Sequence, residues 1–199
     1  MQTVTVYTLH IDEIKGKEAF LCASLPANRV DKARRFVSRD AEWLSLAAGY
    51  LISRYVGDYR IDADGKPCAD GIFFNVSHSG DVAALAVSTA NEVGLDIEKI
   101  TDREDARLAA YCLCEGEYEA YLGGTPFLQL FTAKESLAKA EGHGLKRDVK
   151  SIPALPTDGA VVYLGRRYYR HPLALDGYLG AVTLLDEDFN IVTVAVTIS

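Results

Sequence analysis

The chain has little of what marks several protein classes. Its 199 residues contain one tryptophan, one methionine, six prolines and four cysteines. The cysteines (Cys22, Cys68, Cys112, Cys114) show no paired metal-ligand spacing, and they read better as buried free thiols than as a redox or zinc motif. No apolar run approaches the roughly 20 residues needed to cross a bilayer, and no basic stretch followed by an apolar one opens the sequence. These absences predict a cytoplasmic protein with no membrane association. A net charge of −7 argues against a general nucleic-acid partner. Hydrophobic residues make up 49% and charged residues 25%, which excludes disorder and leaves one sizeable globular unit or two packed halves.

The segment Val93-Gly94-Leu95-Asp96-Ile97-Glu98 organises the rest. Side chains alternate along a strand, so Leu95 and Ile97 point one way while Asp96 and Glu98 point the other. Two carboxylates on one strand face suit Mg2+, which prefers oxygen and takes only one or two protein carboxylates, leaving positions for phosphate and water. An acidic outer face of an ordinary strand is the plainer reading of this segment taken alone.

Before this segment, Gln2 to Tyr7 reads as a half-exposed strand and Asn28 to Val56 as helical, with a break near the N-cap candidate Ser38. Between Asn28 and Arg39 lie five cations (Arg29, Lys32, Arg34, Arg35, Arg39) against Asp31 alone, a local reversal that suggests an anionic ligand such as phosphate. Asp64-Gly65-Lys66-Pro67 is a turn by residue type. The runs 72–77, 82–88 and 93–97 are joined by short turns and predict an antiparallel meander, with His78 in the first turn. Farther on, Thr101 with Glu104 forms a capping-box pattern. Short helices are expected to Tyr111 and from Glu115 to Leu122, and a longer one after Thr125-Pro126 as far as Ala140, stopped by Gly142 and Gly144. On that last helix Glu135 and Lys139 are four apart and share a face; an ordinary surface ion pair would look the same. Strands are expected again over 161–164, 167–170, 178–185 and 191–198. The last two would be joined as a hairpin through Asp186-Glu187-Asp188.

Four of these stretches, taken in order, resemble the Sfp-type 4′-phosphopantetheinyl transferases. They are Gly65-Lys66-Pro67, Phe74-Asn-Val-Ser-His-Ser-Gly80, Val93 to Glu98, and Phe131-Thr-Ala-Lys-Glu-Ser-Leu-Ala-Lys139. Phe131 stands where the family usually has tryptophan. The resemblance implies an α+β fold of two similar halves, each a small antiparallel sheet packed with helices, with the active site in the cleft between them. The expected division is 1–99, with coenzyme A phosphate contacts and the Asp96/Glu98 motif, and 100–199, with the Glu135/Lys139 helix and carrier-protein docking.

It further implies a monomeric enzyme that moves 4′-phosphopantetheine from coenzyme A to a serine of an apo acyl or peptidyl carrier protein, with Mg2+, releasing adenosine 3′,5′-bisphosphate. Glu135 and Lys139 would be catalytic. Asp96, Glu98 and Glu135 would hold the metal, with Glu117 matching a further family carboxylate near it. Arg29, Lys32, Ser45, Gly65, Lys66, Pro67, Ser77, His78, Asp96 and Lys139 would hold coenzyme A. Two alternatives use the same residues: a non-catalytic coenzyme A or carrier-binding module, and a Mg2+-dependent nucleotide hydrolase, told apart by product. For an acidic carrier, the basic residues Lys146, Arg147, Lys150, Arg166, Arg167 and Arg170 are the expected docking patch.

Overall fold

A computed structural model describes residues 2–62, 66–102, 106–142 and 148–198. The chain begins with β1 (Gln2–His10), then α1 (Glu18–Ser24), α2 (Ala27–Ala33) and α3 (Arg39–Tyr55). The expected break falls at Ser38, which precedes α3 in an extended conformation. A two-strand ribbon follows, β2 (Arg60–Ile61) with β3 (Pro67–Cys68), then β4 (Phe73–Ser79), β5 (Val82–Ser88) and β6 (Val93–Lys99). Next come α4 (Ala106–Cys112), α5 (Glu115–Leu122) and α6 (Phe127–Glu141). The chain finishes with β7 (Gly159–Tyr163), β8 (Arg166–Leu175), β9 (Tyr178–Leu184) and β10 (Phe189–Ala195). α6 ends where Gly142 turns left-handed at φ 106°, a conformation that costs glycine little. The expected turn glycine Gly65, the capping residue Glu104, and Gly144, Lys146 and Arg147 lie outside the described residues.

The strands form two four-stranded sheets, β10-β1-β5-β4 and β6-β9-β8-β7. Their inner faces meet in one core, where Val4, Val6, Ala84 and Ala86 of the first sheet pack on Leu95, Ile97, Val182 and Leu184 of the second. The helices cover the outer faces. Leu46, Leu51 and Ile52 of α3 pack with Leu9, Ala83 and Leu85, while Leu137 and Ala140 of α6 pack near Tyr163 and Tyr168. Because β5 is covered on both sides, it reads as the unbroken apolar run Val82-Ala-Ala-Leu-Ala-Val87. The class is α+β, two sheets each carrying helices. Among the described residues no helix is long and apolar enough to cross a membrane.

Two sequence-based expectations fail on strand pairing. β6 does not continue the β4–β5 hairpin as a third meander strand; it pairs antiparallel with β9 in the other sheet. Nor do β9 and β10 form a hairpin, since β10 returns to the first sheet and pairs parallel with β1. The two sheets therefore exchange strands across the division expected at residue 99. Alternation identifies a strand but not its neighbour, and here burial on both faces decides the partner. Of the four cysteines only Cys112 is buried; Cys22 and Cys68 are half-buried and Cys114 is exposed.

Candidate active site

β4 and β6 run side by side at the seam of the two sheets without belonging to one ladder. Polar side chains of β4 take the place of backbone partners. Asn75 Oδ1 accepts from the Leu95 N–H at 3.1 Å, Ser77 Oγ from Ile97 at 3.3 Å and Ser79 Oγ from Lys99 at 3.1 Å. The two hydroxyls then donate onward, Ser77 to Asp96 Oδ1 at 2.8 Å and Ser79 to Glu98 Oε2 at 2.6 Å. Polar residues two apart on β4 thus orient both carboxylates of β6. Ser77 is among the residues expected at the site; Asn75 and Ser79, two positions to either side on the same face of β4, complete the set.

α6 lies over the face of β6 that bears Gly94, Asp96 and Glu98, because Gly94 leaves room for its backbone. A Cβ at Gly94 would stand 1.9 Å from the Ser136 carbonyl oxygen. This contact brings Lys139 down onto the strand, where its Nζ donates to Asp96 Oδ1 at 2.7 Å, the Leu95 carbonyl at 3.1 Å and Ser77 Oγ at 3.3 Å. Glu135, one turn earlier, faces the same place. Its pKa rises from the ordinary 4.5 to about 7, chiefly through burial and then through the nearby charge of Asp96, with Glu98 adding and Lys139 opposing.

The residues therefore carry more negative charge than Lys139 balances, and Asp96 Oδ2 is buried with no hydrogen-bond partner. An uncompensated carboxylate oxygen beside further carboxylates fits a divalent cation. Among the described residues, no three acidic, histidine or cysteine side chains already enclose an ion-sized position. Mg2+ needs no such cage, since it retains waters and binds through one or two carboxylates and substrate phosphate.

On the α3 side of β4 lies a cleft of about 250 Å³. Arg29, Lys32, Ser45, Pro67 and His78 line it, together with apolar Phe36, Ile52, Tyr59 and Val76. Five of the residues assigned to coenzyme A thus meet in one cavity. Arg29 lies along Gly49, with its Nη2 3.5 Å from the Ser45 carbonyl and its Nε buried without a partner. His78 lines the same cleft, its residue exposed to solvent while its ring is partly enclosed. Partial burial of the ring, with the charges of Lys139 and Lys32, lowers its pKa and so favours the neutral imidazole.

Lys66 does not join this group. It forms an ion pair with Glu92, and its side chain passes the C-terminal end of α6 beside Gly142. A turn lysine had no visible partner in sequence, and the β5–β6 connection supplies one. Glu117, weighed as a metal ligand, points elsewhere: its carboxylate is taken by Lys134 and by the Cys114 and Ala154 amides.

The expected basic docking patch loses one member, while Lys146 and Arg147 lie outside the described residues. Arg170 is fully buried and donates to the carbonyls of Pro153, Ala154 and Pro156, and burial lowers its pKa to about 10. Arg166 and Arg167 are exposed, but they begin β8 beyond the Leu184 end of β9, which pairs with Val93. Glu98 lies at the opposite end of that register, paired with Leu179. A second groove borders that end, lined by Ser79, Glu98 and Lys99 on one side and Leu108, Phe127, Leu128 and Phe131 on the other. Phe131, at the position where the motif usually has tryptophan, packs against Phe127 at 5.5 Å.

Comparison with known proteins gives a consistent result. Residues 92–191 match the model of the 4′-phosphopantetheinyl transferase superfamily. The chain is 33% identical over 158 residues to the 4′-phosphopantetheinyl transferase AcpT of Salmonella typhi, covering 72% of this chain and 81% of that one. It is 28% identical over 183 residues to HetI of a Nostoc species, covering 79% and 76%. To Sfp of Bacillus subtilis it is 28% identical over 179 residues, covering 78% and 79%. Both relatives are likewise named 4′-phosphopantetheinyl transferases.

Proposed function

The chain belongs to the 4′-phosphopantetheinyl transferase superfamily, and from that premise we propose that it acts as a two-halved, Sfp-type enzyme. It takes the 4′-phosphopantetheine group of coenzyme A and attaches it to a serine hydroxyl of an apo acyl or peptidyl carrier protein. The observation that supports this most is the meeting of Asp96 from β6 and Lys139 from α6, with Glu135 facing the same place, beside the cleft lined by Arg29, Lys32 and His78.

Each residue then has a chemical task. Arg29 and Lys32 take the 3′-phosphate end of coenzyme A in the cleft, as charge-assisted donors, with neutral His78 lining it. The pyrophosphate lies over Asp96 and Lys139. Asp96, Glu98 and Glu135 would hold Mg2+, which when bound neutralises pyrophosphate charge as the anhydride breaks. Glu135, with a pKa near 7 before a cation relieves it, accepts the serine proton directly or through water. The serine Oγ forms a bond to the phosphorus that carries pantetheine. The bond from that phosphorus to the bridging oxygen breaks, and the oxygen leaves with adenosine 3′,5′-bisphosphate. Lys139 stabilises or protonates that departing oxygen. Since one chain supplies Asp96 and Glu98 of β6 together with Glu135 and Lys139 of α6, the proposed working unit is a monomer, with 1–99 mainly contributing coenzyme A contacts and 100–199 the Glu135/Lys139 helix. The acceptor serine approaches along the groove of Leu108, Leu128 and Phe131, the open side that shares Glu98.

Incubation with coenzyme A, Mg2+ and a panel of apo-carriers, read by intact mass, tests the reading. A phosphopantetheine adduct on a carrier serine is expected. Free phosphopantetheine with unmodified carriers would instead make the protein a hydrolase, and no reaction with any carrier would count against transfer.

A further inference from the structure

Three consecutive residues of α6 face three different parts of the protein. Glu135 looks toward Asp96 and Glu98. Ser136 presses its carbonyl against Gly94, and its hydroxyl lies 2.8 Å from Thr183 Oγ1 on β9. Lys134, about 100° around the helix from Glu135, turns to the opposite surroundings and is fully buried.

The Lys134 ammonium has three N–H donors and each has an acceptor. They go to Glu117 Oε2 at 2.6 Å, the Val149 carbonyl at 3.2 Å and the Ile152 carbonyl at 2.5 Å. Glu117 is equally engaged. Its Oε1 accepts from Ala154 at 2.6 Å and its Oε2 from Cys114 at 3.0 Å. Burial alone pushes this carboxyl up, but Lys134 and the two amides outweigh that and hold it below the ordinary range. The same segment, 149–156, is secured from its other side by Arg170. α5, α6 and this strap are therefore tied at one buried point immediately beside Glu135.

We propose that the Glu117–Lys134 pair is a positioning device: it fixes the rotation of α6 against α5 and the 149–154 strap and thereby aims Glu135. The assignment rests on the transfer reading for the role of Glu135. Lys134 has no donor left for a phosphate, and both oxygens of buried Glu117 are already engaged by Lys134 and two amides, so neither acts on the reacting atoms. A buried ion pair adds little stability over an apolar pair, and its attested benefit is specifying one geometry. A helix turned by a fraction of the step between residues would carry Glu135 off Asp96.

The test uses the full chain, well below its unfolding temperature. Glu117→Asp keeps the charge and draws the carboxylate back by one methylene, so Lys134 and α6 follow it. Carrier modification is expected to lose about tenfold to a hundredfold in kcat, the scale of a misplacement near 1 Å. The KM for coenzyme A should stay within about twofold, as expected when only transition-state geometry is lost. Amide exchange should quicken in 127–141 and 149–154 and hold steady in 73–99. Lys134→Gln alone should be at least as impaired as Glu117→Asp. The pair Glu117→Gln with Lys134→Gln removes both charges but keeps hydrogen-bonding side chains, and it should regain most of the native kcat.

Unchanged kcat or unchanged exchange in Glu117→Asp overturns the proposal. So does a folded double variant no more active than Lys134→Gln, which would put the Lys134 amine on the reaction itself. If a variant fails to fold, Glu117→Asp decides. A native protein that modifies no carrier defeats the transfer reading alone, and the exchange measurement then judges the tie by itself.

Discussion

Gly94 lies against Ser136 with no room between strand and helix: a Cβ on Gly94 would stand 1.9 Å from the Ser136 carbonyl oxygen and 2.5 Å from the Ala140 nitrogen. Both obstacles are backbone, so neither can swing aside. Gly94→Ala must lift α6 off β6, and overpacking of this kind costs about 1–3 kcal/mol or more. It should also part Lys139 from Asp96. We expect a lower denaturant midpoint and, at temperatures where the variant is folded, activity reduced far more than stability alone explains. Native turnover in folded Gly94→Ala would show that the close approach is not needed for the site.

Magnesium binding should be sensitive to both Asp96 and pH. Glu135 binds a proton on folding, since its pKa rises from 4.5 to about 7. Below pH 7 a proton therefore competes with the cation, and Mg2+ affinity should fall about tenfold per pH unit until the other carboxylates titrate. The same shift makes the metal-free fold less stable as pH rises between 4.5 and 7. Glu135→Gln should remove that part of the pH dependence. Asp96→Asn keeps the volume but loses the charge, and turnover should drop about a hundredfold. Titration calorimetry from pH 5.5 to 8 reads the first effect; a flat Mg2+ affinity would exclude Glu135 as a ligand.

The cleft of Arg29, Lys32 and His78 predicts a preference for coenzyme A over its dephospho form. Lys32→Ala should narrow that preference by about 1.5–3 kcal/mol, the worth of one charge-assisted contact. Competitive binding of the two ligands to native and variant proteins measures it. Equal discrimination by both proteins would leave Lys32 a surface charge.

Carrier recognition should depend on the apolar groove at the Glu98 end of the second sheet and little on the basic turn at its other end. Leu108 is 45% exposed in that groove. Leu108→Asp is expected to raise the KM for the carrier about tenfold, consistent with losing a buried apolar contact of about 1.5 kcal/mol or more, with the KM for coenzyme A unchanged. Arg166→Glu with Arg167→Glu should mainly alter the salt dependence of association. The reverse pattern, a large effect from the arginines and none from Leu108, would move docking to the far end of the sheet.

Local chemistry was legible wherever neighbours in sequence remained neighbours in space. The alternation Leu95-Asp96-Ile97-Glu98 divided core from carboxylates, and the four-residue spacing set Glu135 and Lys139 on one helix face, because strand and helix periods fix those relations without help from the rest of the chain. The helix break at Ser38 and the stop at Gly142 were legible for the same reason. Tertiary structure alone decided the partners. It sent β6 to β9 and β10 to β1, paired Lys66 with Glu92 away from the cleft, buried Arg170 under a loop, and gave Glu117 to Lys134. A charged side chain does not record in sequence which opposite charge, carbonyl or solvent will face it. That depends on contacts between residues 14 to 187 positions apart, as for Arg170 with Pro156 and Gln2 with Phe189, which exist only once the chain has closed on its core.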